Sequence, residues 1–523
     1  MSRTHLLLAA LALFPAAVTA QPGPHAGHDT PVVRASQAAG PVAVDGRLDD
    51  PAWAAATPVS SFTQVDPDEG QPVSEATEAR VLYDDVALYV GVRLADRGRI
   101  STRLGRRDMG RGDSDWVGVA IDSYHDHQTA FAFEANPSGV RRDATRSDQG
   151  ADDLSWDAVW EVETRVDSAG WTAEFRIPFS QLRFDPRETT WGVQLERIIS
   201  RRNEFATFSF TPKRERAGIA RYGHLEGLAG VRTGKRLEVL PYAVTRTERV
   251  ERGANPFRDD VENSASAGVD LKYRLTSDLT LDATVNPDFG QVELDPAVVN
   301  LTQFETVFQE KRPFFVEGSD IFLFGPGQLP TGGALFYTRR IGGRHSGLQP
   351  GVAEQDVPTE TGIVAAAKLS GKTSSGWSIG LMDAVTSREE ARYVDVDDGE
   401  QALLVEPLTN FFVGRVKKDL RGGQTYVGGI ATAVNRRLET DLLRAALPSA
   451  GFTAGLDFRH QFARRAWSFT GWVAASHVRG DSTALIGVQL RPYHYFQRPD
   501  ARHLDLETGR TTLNGVGGAL RVR

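Results

Sequence analysis

An indole ring beside fixed carboxylate, amide and guanidinium groups is what sugar binding needs, and two tryptophans of this chain stand in such company. The apolar face of a pyranose stacks on the ring, and its hydroxyls take hydrogen bonds from the polar groups around it. Trp156 lies in Asp152-Asp153-Leu154-Ser155-Trp156-Asp157, a loop aromatic surrounded by carboxylates. Trp116 opens the run Trp116–Asp122, where Val117, Val119 and Ile121 form the apolar face and Trp116 shares the other with Gly118, Ala120 and Asp122. Period two therefore points Trp116 outward or into a groove. Asp113, Asp115, Asn136, Arg141 and Asp143 could supply the polar partners. The competing reading is structural, because large aromatics usually pack with only a polar tip left wet.

The same acidic loops could hold calcium, which takes oxygen ligands. Asp113 and Asp115 are the expected ligands, with Asp108 beside them and a second acidic loop at Asp45, Asp49 and Asp50. No EF-hand spacing is present, and charged turn residues explain these loops equally well. The chain has no cysteine, which removes thiol catalysis, Cys-ligated zinc and disulfides. It has no GxSxG elbow, HExxH, P-loop or Rossmann glycine pattern, and none of its 11 histidines falls in a recognised ligand spacing. A glycosidase needs only two carboxylates. Glu134, Glu161, Glu163, Glu174 and Glu196 alternate with apolar residues as ordinary surface groups do. A denser charged set, Glu305, Glu310, Lys311, Arg312, Glu317 and Asp320, flanks Phe314 and Phe315. It reads either as an acid–base patch or as an ion-paired plug, and the plug is preferred because carboxylate pairs are common.

The elements that must position these residues are all strands. From about 38 to 212 the strands are short and separated by turn chemistry. Arg80–Tyr83, Asp84-Asp85 and Val86–Leu94 read as a hairpin, followed by strands at Trp116–Asp122, Thr129–Ala135, Val159–Val166, Trp171–Ile177 and Trp191–Ile198. That spacing predicts a β-sandwich. Alternation puts Trp160, Trp171 and Trp191 in its core, and Trp53 packs a loop onto it. The motifs AVDGRLDDPAW, ARVLYDDVALYVGVRLAD, SDWVGVAIDSY, TAFAFEANPSGVRRDA and GWTAEFRIPFSQLRF resemble the family 9 carbohydrate-binding module. The variant at the N-terminus of DUF5916 proteins is closer still. The resemblance spans most of residues 40–200 and implies a β-sandwich of carbohydrate-binding type.

From about 236 to 523 the strands are longer and alternate cleanly. Leu456, Phe458, His460 and Phe462 oppose Asp457, Arg459 and Gln461, and Val269, Leu271 and Tyr273 oppose Asp270, Lys272 and Arg274. One apolar and one charged face fits either a soluble sandwich or a barrel with a polar lumen. Strand length, an export signal and aromatics near strand ends (Tyr426, Trp467, Tyr493, Tyr495) favour an outer-membrane barrel. Residues 286–325 break the alternation, carry Pro287, Pro296 and Pro313, and read as a segment folded into a lumen or against a mouth. The runs FGQVELDP, LTQFETVFQEKRPFFVEGSDIF and FYTRRIG resemble the signature of DUF5916, whose members place a predicted barrel behind the sandwich. The chain stops at Arg523 inside an apparent strand, so barrel closure is an open expectation.

Met1–Ala20 reads as a secretory signal, with a basic head at Arg3, an apolar run from Leu6 to Ala17 and a cut before Gln21. Net charge is −8 without a basic block, which argues against a nucleic-acid partner. The organisation expected is a signal at 1–20, a linker at 21–37, the sandwich at 38–212, a linker at 213–235 and the barrel at 236–523. The fold class is all-β. The function expected is an exported protein of the outer membrane that binds a glycan through the sandwich and meets lipid through the barrel. A carboxylate-based glycan hydrolase and a structural protein binding an envelope partner are the alternatives, and either side of the membrane is open to the sandwich.

Overall fold

The computed structural model describes residues 30–523 apart from 148–151, 155, 185–187, 216–217, 232–236, 250–254, 258–259, 277, 288–305, 309, 326–334, 344–346, 353, 374, 396–398, 464, 495–496 and 499. The expected signal, and with it Glu305, Pro296 and Tyr495, lies outside the described residues.

Two sheets face each other in the first half of the chain. One runs in the order Ser36–Gln37, Thr77–Tyr83, Ala87–Ala95, Gly170–Pro178 and Glu161–Asp167. The other runs Val32–Arg34, Gly223–Glu226, Trp191–Ile199, Trp116–Asp122, Thr129–Ala135 and Arg141–Ser147, with Glu204–Thr207 and Thr63–Asp66 attached beside Trp191–Ile199. Their inner faces share one core that includes Val90, Val119, Phe133, Trp160, Trp171, Phe175 and Trp191. Trp160 stacks on Phe175 with the rings 5.8 Å apart. Trp53 is buried against Leu82 and Tyr89 from a one-turn helix, Pro51–Ala54, as alternation and loop chemistry lead one to expect.

The sandwich reaches past its expected ends. Val32–Arg34 pairs in parallel with Gly223–Glu226, which also pairs with Trp191–Ile199, so residues read as the two linkers are strands, the first of them at the sheet edge. They are too short to carry a period, which is why no pattern marks them.

The second half is a ten-stranded antiparallel sheet in strict sequence order, from Leu237–Arg249 to Thr512–Val522. Both terminal strands are paired on one side only among the described residues, so the sheet is open and the expected closed barrel is not seen. Its polarity is inverted relative to a soluble sheet. Val427, Leu456 and Val473 are 50%, 62% and 50% exposed on one face, whereas Lys368, Arg415, Asp457 and Arg459 are buried on the other. No helix among the described residues is long and apolar enough to cross a membrane, which leaves crossing by strands untouched.

The buried face is covered by residues 313–324. A turn of helix at Pro313–Val316 and a 3₁₀ turn at Ser319–Phe322 lay Phe315, Phe322 and Phe324 against Ala366, Met382, Val413, Ile430 and Ala474. Lys368 donates to the carbonyl of Glu317 at 2.6 Å, capping that segment from the sheet. Tyr426 corrects one expectation. It belongs to this inner face, buried between Lys417 and Arg459 at 5.3 and 5.4 Å, and not to an aromatic girdle. A phenol ring can take a cation on its face, so a tyrosine near a strand end is not by itself an interface marker. Trp467, by contrast, is exposed at the start of its strand.

The two ends of the large sheet differ. At one end the connections are four-residue turns, between Arg274 and Leu279, Lys372 and Trp377, Leu420 and Thr425, and Phe462 and Trp467. At the other they are long, with a hairpin at Glu389–Asp395 and Gly399–Glu406 and helices at Asp441–Ala446 and Ser482–Gln489. The sandwich sits at the short-turn end. Lys372 Nζ lies 2.8 Å from Asp126 Oδ2 and 2.8 Å from Thr129 Oγ1. Gly423, at φ 76°, turns so close that a Cβ there would stand 3.0 Å from the Asp126 carbonyl oxygen.

Candidate functional site

Between the sandwich and the large sheet lies a cavity of about 480 Å³. One wall comes from the sandwich, where Trp156 packs its ring on Phe131 (5.0 Å between centroids) and edge-on to Phe133 (5.7 Å). The strand Thr129–Ala135 turns Phe131 and Phe133 the same way, and the loop before Glu161 lays Trp156 over them. The facing wall is the inner segment around Glu317–Ile321 and the short-turn ends of the sheet. The cations of the lining are Arg146, Arg183, Lys272, Arg274, Lys311 and Lys372. Its carboxylates are Asp153, Asp157, Glu317 and Asp320.

Ion pairs tie these walls together. Arg183 of the sandwich reaches Glu317 at 2.7 Å and Ser370 of the sheet at 3.2 Å, while Lys272 approaches the same Glu317 oxygen at 2.7 Å. Glu310 pairs with Arg312 at 2.7 Å, and Asp320 with Lys372 at 3.7 Å. Glu310, Arg312, Glu317 and Asp320 of the inner segment are thus each ion-paired.

The loop Asp122–Thr129 carries the contact to the sheet. Asp122 accepts from the N–H groups of Asp126 (3.1 Å) and His127 (2.8 Å), and Asp126 from those of Gln128 and Thr129 (both 2.8 Å). These bonds hold His125 and His127 in the left-handed region at φ 52° and 59°. Burial would raise the Asp126 carboxyl, but Lys372 and the loop amides hold it down to about 2. Burial lowers His127 to about 4, helped by the neighbouring His125 ring.

Of the residues expected to bind sugar, only Trp156 lines this cavity. Trp116 does not face outward. It is 1% exposed, and its Nε1 donates to the Arg111 carbonyl at 2.8 Å. Its strand is central and buried on both faces, the second face covered by a separate cluster around Ala120, Ala132, Ile219 and Tyr222. Asn136 is a buried turn residue: its amide donates to the Arg103 carbonyl at 2.7 Å, and its Oδ1 accepts from Ser138 and Val140. Arg141 is exposed and donates to the Trp160 carbonyl at 2.9 Å. Asp143 is buried and accepts from Arg107 and the Ala158 N–H.

Asp113 and Asp115 do not converge as a cation site either. Asp113 is exposed, and Asp115 is buried accepting from the N–H groups of Ser200 at 2.8 Å and Ser101 at 3.3 Å. The carboxylates that do converge among the described residues are Asp108, Asp143 and Asp157. Arg107 already stands among them, 2.6 Å from Asp143 and 3.0 Å from Asp157. Burial raises Asp108 to about 6 against the hydrogen bond it accepts from the Asp143 N–H.

Sequence reasoning missed a buried network on the outer face of the Trp116–Asp122 sheet. Glu134 is 2% exposed and takes Arg111 (2.6 Å), Arg142 (2.8 Å) and Arg146 (3.0 Å), and Arg146 also reaches Glu196 at 2.5 Å. Glu174, also read as a surface group, is buried and accepts from Trp53 Nε1 and the N–H groups of Asp45 and Gly46 at 3.0–3.1 Å. Burial raises it to about 7 against those bonds. Arg142 and Arg146 were the available signal, since two arginines four apart share one strand face and call for carboxylates opposite.

Comparison with known proteins gives two family matches. Residues 233–493 match the family described as domain of unknown function DUF5916, and residues 44–200 match the carbohydrate family 9 binding domain-like family. No curated protein matches the chain. Among solved structures, a family 9 carbohydrate-binding module from Caldicellulosiruptor kristjanssonii in complex with cellotriose is 13% identical, covering 44% of this chain and 100% of that one at a TM-score of 0.29. A carbohydrate-binding protein from Bacteroides uniformis is 11% identical over 38% of this chain and 100% of its own, at a TM-score of 0.31. OprB of Pseudomonas putida is 12% identical over 77% of this chain and 82% of its own, at 0.24. At such scores these likenesses decide nothing beyond the family matches. The chain is a DUF5916 protein with a family 9-like carbohydrate-binding domain on its N-terminal side.

Proposed function

We propose that this is an exported protein of the outer membrane, inserted through its large sheet, that holds a glycan between its sandwich and the end of that sheet. The observation that carries the reading is the inverted sheet. A face of exposed Val427, Leu456 and Val473 backed by buried Arg415, Asp457 and Arg459 is the polarity of a wall with lipid outside and polar groups inside. In water that outer face would be a row of exposed apolar side chains on neighbouring strands, which soluble proteins rarely carry. Membrane barrels of this type have short periplasmic turns and long external loops. The four-residue turns beside the sandwich support a periplasmic position for it.

The glycan part of the reading rests on the carbohydrate-binding domain and on Trp156, half-buried with one side on the cavity. The Caldicellulosiruptor module was solved with cellotriose and with glucose, which makes cellotriose the first sugar to try. The test is to express the whole chain and separate the membranes. Recovery in the outer-membrane fraction after alkaline carbonate washing, with calorimetric binding of an oligosaccharide by the detergent-purified protein, supports the proposal. A chain found in the soluble periplasm contradicts its membrane half, and absence of binding across neutral and acidic oligosaccharides contradicts its glycan half.

A further inference from the structure

Arg274 ends its strand and lines the cavity. Its Nη1 is buried with no hydrogen-bond acceptor among the described residues. Glu238, on the neighbouring strand, acts on it only at a distance. Arg183 and Lys272 stand on the same side and share one carboxylate, Glu317, at 2.7 Å each. Arg183 from the sandwich and Lys272 from the sheet are thus already paired, and beside them a guanidinium N–H of Arg274 is buried without its bond. A buried donor without an acceptor carries the full cost of losing water, which a ligand oxygen would remove. A guanidinium fork recognises carboxylate, sulfate or phosphate oxygens in pairs. Trp156 and Phe131 offer an apolar plane on the opposite wall.

We infer that the cavity takes an acidic oligosaccharide, one sugar ring against Trp156 and an anionic group of the sugar at Arg274. The inference rests on the proposed glycan site and adds the class of glycan. A uronate unit joins both features in one molecule, since its ring has an apolar face and its C6 is a carboxylate. The cavity volume of about 480 Å³ lies within the range of small-ligand sites and suits a short oligosaccharide.

The experiment uses the full-length protein in detergent micelles, titrated with trigalacturonate and with cellotriose, and inorganic phosphate as competitor. Trigalacturonate is expected to bind about tenfold or more tightly than cellotriose, and the preference to weaken as salt is raised. In Arg274→Gln the ratio of the two affinities falls to near one, while Arg274→Lys keeps part of it. Circular dichroism of both variants checks the fold. Equal affinity for the two sugars in the parent protein overturns the inference and leaves the glycan site standing. So does a preference that Arg274→Gln leaves intact. Phosphate competing at the concentration of trigalacturonate means that charge alone is read, and the acidic-sugar inference fails. Binding of neither sugar overturns the glycan site and this inference together.

Discussion

Arg415 and Asp457 meet across an intervening strand on the buried face of the large sheet, Nη1 to Oδ1 at 2.6 Å and Nη2 to Oδ2 at 2.8 Å. Arg415 lies on Thr409–Leu420 and Asp457 on Ala450–Phe462, so the pair passes over Gly428 of Thr425–Arg436. A Cβ on Gly428 would stand 2.6 Å from Arg415 Nη1 and 2.7 Å from Asp457 Oδ1. Asp457 Oδ2 also accepts from the Gly325 N–H at 2.9 Å, and the guanidinium lies 5.5 Å from the Phe324 ring. One fully buried ion pair thereby joins three strands to the covering segment.

Removing one partner should cost far more than removing both. Asp457→Ala leaves a buried guanidinium unpaired and is expected to lower stability by about 3–5 kcal/mol. Gly428→Ala should cost about 1–3 kcal/mol by crowding the pair. Urea unfolding in lipid, followed by tryptophan fluorescence, measures both. A Gly428→Ala variant as stable as the parent would contradict the geometry.

Lys372 should govern how the sandwich docks. Its Nζ serves Asp126 and Thr129, and Lys372→Ala strips the loop Asp122–Thr129 of its contact with the sheet. Hydrogen exchange is expected to rise in that loop while the strands from Trp377 to Phe462 keep their protection. A change spread over the whole sheet, or none in the loop, would tell against this role.

Acid should loosen the sandwich through the same loop. Folded His127 titrates near 4, below its ordinary 6.5, because burial disfavours the imidazolium. Between those values the unfolded chain holds a proton that the folded chain refuses, so stability falls as pH drops through the window. The Tm should be lower at about pH 5 than near neutrality, and His127→Gln should shrink that difference. A difference untouched by the substitution would assign the acid sensitivity to other groups.

The two tryptophans should separate cleanly. Trp156→Ala is expected to weaken sugar binding about tenfold with a small change in stability, because the ring lines the cavity and is only half buried. Trp116→Ala removes a ring that is 1% exposed and should cost about 3–5 kcal/mol. Calorimetric titration and thermal unfolding of both variants give the comparison, and loss of binding by a stable Trp116→Ala protein would reverse the assignment.

The large sheet was readable because its two faces differ in kind. Leu456 and Phe462 were set against Asp457, Arg459 and Gln461 by alternation alone, and those three polar residues are buried. What alternation could not say is whether the far edges meet, since closure depends on the shear of all the strands together. Trp116 failed for a related reason. A strand covered on both faces has no wet side, so period two names its faces without telling which is solvent. The cavity was half legible: Trp156 stood out among carboxylates, but Arg274 and Lys272 reach it from a strand more than a hundred residues away. No local pattern joins them, because domain docking does.

The most direct test of the central claim uses the absence of cysteine in the chain. Single cysteines at Val427, Leu456 and Val473 on the exposed apolar face, and at Thr432 and Ser476 on the other, can each carry a spin label in protein reconstituted into lipid vesicles. Collision with oxygen, which concentrates in the hydrocarbon, is compared with collision with a water-soluble nickel chelate. The account predicts high oxygen and low nickel accessibility at the three apolar-face positions, and the opposite preference or protection from both at Thr432 and Ser476. Nickel accessibility at Val427, Leu456 and Val473 equal to that of a label in water would contradict a sheet whose outer face meets lipid.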